Sequence, residues 1–205
     1  MLQFLLQIFL GFLIASIVVS FMNQKKKNTS QFDAYQDKLA KYETVSKEQL
    51  DQASDQETIE AMVYHLIDQV DGDYNGAIKT FNEQQKLVYC AYQLNLSCSL
   101  NRNSINDFFV NAKELVKFAP ILFDNLHLDQ ATQIFNDARA LYLKYEEEYK
   151  KDIDEVVDEL GNDQEEKSFI DYSNELKEIF KSEEYEHALA SYIREHFDDL
   201  VKEED

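Results

Sequence analysis

Proline and glycine are almost missing from this sequence, with one Pro and four Gly in 205 residues. A sandwich or barrel needs many tight turns, which so few turn-formers cannot supply, and collagen-like or Pro-rich classes are excluded outright. Tryptophan is absent, and cysteine is limited to Cys90 and Cys98. These two stand eight apart on one helical segment, about two turns or ~12 Å, so a disulfide is not expected and free thiols suit a reducing compartment. Base is scarce as well: 20 Lys and Arg face 40 Asp and Glu, for a net charge of −20. Such a field repels a phosphate backbone, so direct nucleic-acid binding is disfavoured, while basic proteins are attracted, including those that themselves bind DNA. What is present is an apolar fraction of 44%, with 14 Phe and 12 Tyr, enough to close a helical core.

Residues 2–22, LQFLLQIFLGFLIASIVVSFM, carry no charge and as a helix would span roughly 30 Å, the thickness of a bilayer hydrocarbon core. No basic residue precedes Leu2, as a cleaved signal peptide would want, so the stretch reads as an uncleaved single-pass anchor. Lys25, Lys26 and Lys27 follow it, and the positive-inside rule then puts the rest of the chain in the cytoplasm at the cell membrane. The expected organisation is a transmembrane anchor over 1–22, a basic and polar linker with a peripheral helix over 23–57, and an acidic all-helical domain over 58–205.

Phe32, Tyr35, Leu39 and Tyr42 recur at helical spacing in the peripheral helix, and a polar interval over 46–57 follows. Ile59, Met62, Val63, Leu66, Ile67 and Val70 form a wide apolar stripe, which predicts a core helix. Asn82 is a fitting N-cap for the next helix, which carries Leu87, Val88, Ala91, Tyr92, Leu94 and Leu96 and ends in the polar run over 97–104. In that helix Cys90 is expected to pack as a small apolar residue, and Cys98 to be exposed. A short helix around Ile105, Phe108 and Phe109 comes next, and Pro120 marks the start of another. Asp129 then caps a long helix through Ala131, Ile134, Phe135, Ala138 and Leu141, continuing past Glu146-Glu147-Glu148 as far as Leu160. Two helices, around Phe169 to Phe180 and Tyr185 to Phe197, close a domain of roughly six to eight helices. From Leu141 onward there are 23 acids and 8 bases, so three quarters of the net charge lies in the last 65 residues.

Four pieces of residues 74–201 resemble the domain of the bacterial acidic DNA-mimic proteins of the DMP type, a helical domain long catalogued as one of unknown function. Tyr74, Phe81-Asn82 and Lys86-Leu87-Val88-Tyr89 look like the start of that family's first core helix. Asn101-Arg102-Asn103-Ser104-Ile105-Asn106-Asp107-Phe108-Phe109-Val110-Asn111 is similar to its Asn-Asn-Gly-Gly-Phe-x-Gln-Phe-Phe-x-Asn loop and helix. Phe118-Ala119-Pro120 is similar to its Tyr-Ala-Pro segment, and Tyr192-Ile193-Arg194-Glu195 to its closing Tyr-Ile-Arg-Glu. The family's Gly-Gly is Asn103-Ser104 here, so a left-handed turn there falls to Asn103, a residue that tolerates it. The resemblance implies a protein that presents carboxylates in place of DNA phosphates, and it marks Asn101, Asn103, Ser104, Phe108, Phe109 and Asn111 as motif residues.

Three constellations bear on function. Asp71-Gly72-Asp73-Tyr74-Asn75-Gly76-Ala77-Ile78 has oxygen ligands at calcium-loop positions 1, 3 and 5, a Gly at 6 and an aliphatic at 8, but position 12 is Asn82 and position 9 is Lys79. An Asp-Gly turn leading to an Asn-capped helix accounts for the same residues. The carboxylates Glu146, Glu147, Glu148, Asp152, Asp154, Glu155, Asp158 and Glu159 sit on the long helix with only Lys144, Lys150 and Lys151 in relief. Like charges at i, i+4 destabilise a helix by a few tenths of a kcal/mol each, so a run that works against its own helix points to a role for the charge. The polar loop over 101–106 with Phe108 and Phe109 either lines a pocket or caps a short helix whose rings enter the core, and the second is the plainer account. The histidines His65, His127, His187 and His196 form no zinc spacing, and no HExxH, GxGxxG, Walker loop, nucleophile elbow or CxxC is present, so the chain reads as non-enzymatic and without cofactor. The expected function is a membrane-anchored acidic module that binds a basic protein, with a DNA-mimic role implied by the resemblance. The alternatives are a membrane-associated scaffold whose acidity serves solubility, and a calcium-binding or enzymatic protein using the loop at Asp71.

Overall fold

A computed structural model describes residues 32–70, 74–99, 104–148 and 167–201, and every regular element among them is helical. The chain divides into two compact units, Met1–Glu43 and Thr44–Asp205. The first contributes helix α1 over 32–41, whose Phe32 is exposed. The second contains α2 (Lys47–Gln52), α3 (Asp55–Gln69), α4 (Tyr74–Thr80), α5 (Glu83–Ser99), α6 (Ile105–Asn111), a 3-10 turn (Lys113–Leu115), α7 (Phe118–Asn125), α8 (Asp129–Glu148), α9 (Phe169–Phe180), α10 (Glu183–Glu195) and α11 (Phe197–Leu200). No helix among the described residues is long and apolar enough to cross a membrane, and residues 2–22 lie outside them.

With so little glycine and proline, the chain starts its helices with serine and asparagine side chains. Ser46 caps α2 and Gln49 reaches back to the Ser46 N–H; Ser54 and Glu57 repeat the exchange at α3, and Ser168 and Asp171 at α9. Asn82 Oδ1 accepts from the Gln85 N–H at 2.8 Å while Gln85 Oε1 accepts from the Asn82 N–H at 3.0 Å, so α5 is capped in the same way. Each such cap satisfies orphan N–H groups and contributes about 1 kcal/mol. These caps place α2 inside the interval over 46–57, where the hydrophobic pattern is silent, and Leu50 of α2 is fully buried.

The one positive φ at a described non-glycine residue closes α7. His127, at φ 57°, follows the helix end, its N–H donates to Asp124 O, and the Leu128 N–H donates to Phe123 O at 2.8 Å. That is a Schellman ending, with Leu128 and Phe123 buried as its apolar pair. Asp129 is therefore the first residue of α8 rather than its cap, placed by the turn before it. Pro120 is the third residue of α7, where a missing N–H breaks no intrahelical bond.

Helix α5 lies at the centre, packed on α3, α6, α7, α9 and α11, while α3 pairs with α10 and α8 lies on α7 and α9. The interior is aromatic. Phe135 on α8 meets Phe109 at 5.5 Å and Phe108 and Phe123 each at 6.2 Å, and Phe123 connects through Phe180 to Tyr185. Edge and tilted pairs of this kind are each worth ~1 kcal/mol beyond their burial. The buried polar side chains among the described residues are all partnered: Thr58 with Leu50 O, His65 with Gln69, Gln85 with Leu200 O and Ser173 with the Ile105 N–H. Asn82 Nδ2 also donates to Asp199 O, so two side chains at the start of α5 hold the carbonyls of α11 more than a hundred residues away.

Candidate functional site

Among the described residues of the second unit, two clefts of about 550 Å³ each are open. The first is built by α6, α8 and α9. Asn106 and Val110 stand at i, i+4 on α6, and Leu141, Tyr142, Tyr145 and Glu146 share one face of α8. Ser168 and Phe169 close it from the start of α9. Tyr142 lies 5.1 Å from Phe109, and Tyr145 lies 5.8 Å from Phe169, so the floor of the cleft is continuous with the aromatic core. Val110 is 48% exposed, a large apolar side chain at the surface where most of its kind are inside. Glu146 is half-buried and is the one charged side chain among the described lining residues.

The second cleft is acidic. Asp129, Glu175, Glu178 and Glu184 converge on it from α8, α9 and α10, beside His127 and Ser182. Their charge is partly answered: Lys167 Nζ meets Glu175 at 2.6 Å, and Lys181 Nζ meets Glu178 at 3.0 Å. Asp129 and Glu184 also sit in first turns, where a carboxylate complements the helix dipole.

The residues singled out in the sequence are distributed unequally. Glu146 faces the aromatic cleft; Glu147 and Glu148 end α8; Asp152, Asp154, Glu155, Asp158 and Glu159 lie outside the described residues, as does the extension of that helix toward Leu160. Asn101 and Asn103 also lie outside them. The Ser104 N–H donates to Asp107 Oδ2 at the start of α6, Phe108 and Phe109 are buried, and Asn111 is the exposed last residue of that helix. The rings thus enter the core while their helix neighbours Asn106 and Val110 line the cleft. Asp71 and Asp73 lie outside the described residues, and residues 74–80, positions 4 to 10 of the calcium pattern and including Asn75, are helical. Asn82, its position 12, is engaged at both side-chain atoms by the cap and by Asp199 O, and Lys79 is exposed. No group of three or more potential metal ligands occurs among the described residues.

Cys98 corrects an expectation. It is 4% exposed, because α5 runs to Ser99 and keeps that face against α9, and burial pushes its thiol up to about 12. Cys90 is fully buried and free, with Sγ 3.6 Å from Leu115 O, and its thiol is raised further by the same cause. Both are protonated near neutrality and poor nucleophiles.

A strongly bonded charged group escaped the sequence reading as a functional or structural centre. Arg194 on α10 donates from Nε to Leu50 O at 3.1 Å, from Nη1 to Asp55 Oδ1 at 2.7 Å, and from Nη2 to Ala53 O at 3.0 Å and Thr58 Oγ1 at 2.9 Å. His187 Nδ1 lies 2.9 Å from the other Asp55 oxygen. Hydrogen bonds from Arg194 and then His187 hold the Asp55 carboxyl below its usual range. The arginine gives Ala53 O a donor where α2 ends, adds a bond to Leu50 O beside those from the Ala53 N–H and Thr58 Oγ1, and binds the α2–α3 corner to α10, which is a structural task.

No family model, no curated protein and no solved structure matches the chain.

Proposed function

We propose that this chain is a membrane-anchored, non-enzymatic acidic module that engages a basic protein, presenting rows of Asp and Glu where a DNA-binding protein would meet phosphates. The observation that carries the reading is charge polarisation: 23 acids against 8 bases from Leu141 onward, within a chain of net charge −20. Carboxylates run together in sequence at 146–148 and 152–159 with little base among them, which favours their use as a surface over mere solubility. On the described part of the fold, Asp129, Glu175, Glu178 and Glu184 line a second acidic feature, the cleft between α8, α9 and α10. The resemblance in residues 74–201 to the acidic DNA-mimic domain supports the same class of partner. The anchor rests on the uncharged run over 2–22 and the orientation on Lys25, Lys26 and Lys27, which put the acidic domain on the cytoplasmic side.

The test is displacement. The full chain in detergent micelles, titrated into duplex DNA bound by basic nucleoid proteins, is expected to release the DNA at ~50 mM salt and to fail at ~300 mM, because the carboxylate contacts are screened. Retention of DNA at low salt with a large excess of the chain would sink the proposal. Orientation is tested separately by the accessibility of an added cysteine near Lys25 in sealed vesicles.

A further inference from the structure

The first turn of α8, the second half of α9 and the first turn of α10 meet at the acidic cleft, where Asp129, Glu175, Glu178 and Glu184 are among the described lining residues and no Lys or Arg is. We infer that this cleft is the docking site for a basic segment of the partner and seats one or two of its Lys or Arg side chains, an inference that rests on the basic-partner reading above. Charge complementarity names the occupant. Glu175 and Glu178 already hold ammonium groups of this chain, Lys167 Nζ at 2.6 Å and Lys181 Nζ at 3.0 Å, and both lysines are more than half exposed, so an arriving cation exchanges with them at little cost. Asp129 and Glu184 form no ion pair among the described residues. No group of three or more potential metal ligands occurs among those residues either, so the carboxylates are spaced for separate cations rather than gathered on one ion. Leu128 and Ile179 add an apolar lining. The hydrocarbon stem of Lys or Arg lies on such a surface while its charged head stays at the carboxylates, and a small hydrated cation gains nothing from it. A volume of about 550 Å³ admits one or two side chains of that length.

The probe is an oligo-arginine peptide, measured by calorimetry against the full chain in micelles of an uncharged detergent at ~50 mM salt. Asp129→Asn with Glu184→Gln is expected to weaken binding about fivefold, since each ion pair at a surface of this kind contributes a factor of about two to three. The control removes the same charge elsewhere, through Asp68→Asn with Glu114→Gln at two exposed acids outside the cleft, and is expected to cost less than about twofold. Should the first pair lose helical circular dichroism, because both carboxylates stand in first turns, Glu175→Gln with Glu178→Gln takes its place with the same expected loss. Equal losses from the cleft pair and the control pair overturn the docking site while leaving the acidic surface standing. No binding of the peptide to the unaltered chain at low salt overturns the basic-partner reading and the docking site with it. Displacement of the peptide by spermine at equal concentration would assign the cleft to a free polyamine and overturn the inference.

Discussion

Replacing Arg194 tests what holds the second unit together at its α2–α3 corner. Its guanidinium makes four contacts at 2.7–3.1 Å, one to the Asp55 carboxylate and three to the oxygens of Leu50, Ala53 and Thr58. A hydrogen bond from a charged donor contributes roughly 1.5–3 kcal/mol when fully buried. Here the guanidinium side chain is 23% exposed and Asp55 31%, so the ion pair falls toward the ~1 kcal/mol of a surface pair, and the three other bonds toward ~1 kcal/mol each. Arg194→Ala is therefore expected to cost about 3–4 kcal/mol, leaving Ala53 O and Thr58 without their guanidinium donor. Arg194→Lys, a point charge that cannot reproduce the fork, is expected to cost about 2 kcal/mol. Urea unfolding followed by far-ultraviolet circular dichroism measures both. The pH dependence has a definite sign. Asp55 has a folded pKa below its unfolded value, so the stability it contributes is present above about pH 4 and is lost as pH falls through the folded value. Arg194→Ala should flatten that acid limb, because the largest cause of the depression is gone. A cost under ~0.5 kcal/mol for Arg194→Ala, or an acid limb of unchanged shape, would refute the clamp.

The ending of α7 makes a stabilising substitution available: His127→Gly removes the Cβ from a left-handed position at φ 57°, and after the glycine's greater unfolded-state freedom is subtracted, a gain of about 0.5–1 kcal/mol is expected in the same urea titration. A β-branched residue there, His127→Val, should lose at least ~1 kcal/mol. Both thiols should resist a thiol-specific reagent at pH 8 in the native protein and react together on unfolding, since Cys98 is buried with its thiol near 12 and Cys90 is buried more deeply still; a fast native phase would contradict the packing of α5. Phe135→Ala, which removes the ring shared by Phe108, Phe109 and Phe123, is expected to cost about 3–5 kcal/mol by thermal or urea unfolding.

The helical class could be read directly, because the shortage of glycine and proline left few other ways to fold and the apolar residues recur at helical spacing. Met62, Leu66, Val88, Ala91, Leu94, Phe135 and Ala138, all chosen by spacing, are buried. What periodicity passed over was α2, six residues with a single buried Leu50, too short to show a stripe. Its signal lay elsewhere, in Ser46 followed three residues on by Gln49, and again in Ser54 and Glu57. The polar run over 97–104 hides the burial of Cys98, because the helix continues through Ser99 and the face bearing Cys98 turns inward. The contacts of Arg194 had no local signature at all: its partners at Leu50, Ala53, Asp55 and Thr58 are about 140 residues away in the chain.

The candidate site was half legible for a related reason. Net charge is a sum over residues and needs no fold, so the acidity of the C-terminal part could be counted, but a cleft exists only after helices pack. Phe108 and Phe109 enter the core, as the plainer account of that loop has it, and the surface falls to Asn106 and Val110 on the other side of the same two turns. On the proposed function, carboxylates steer a basic partner over distances of a Debye length and raise the rate of encounter, an effect that falls with salt. Neutralising Glu146 should therefore lower the association rate of a lysine-rich peptide at ~50 mM salt and leave its dissociation rate nearly unchanged, whereas a faster dissociation alone would assign Glu146 to a contact rather than to the steering field.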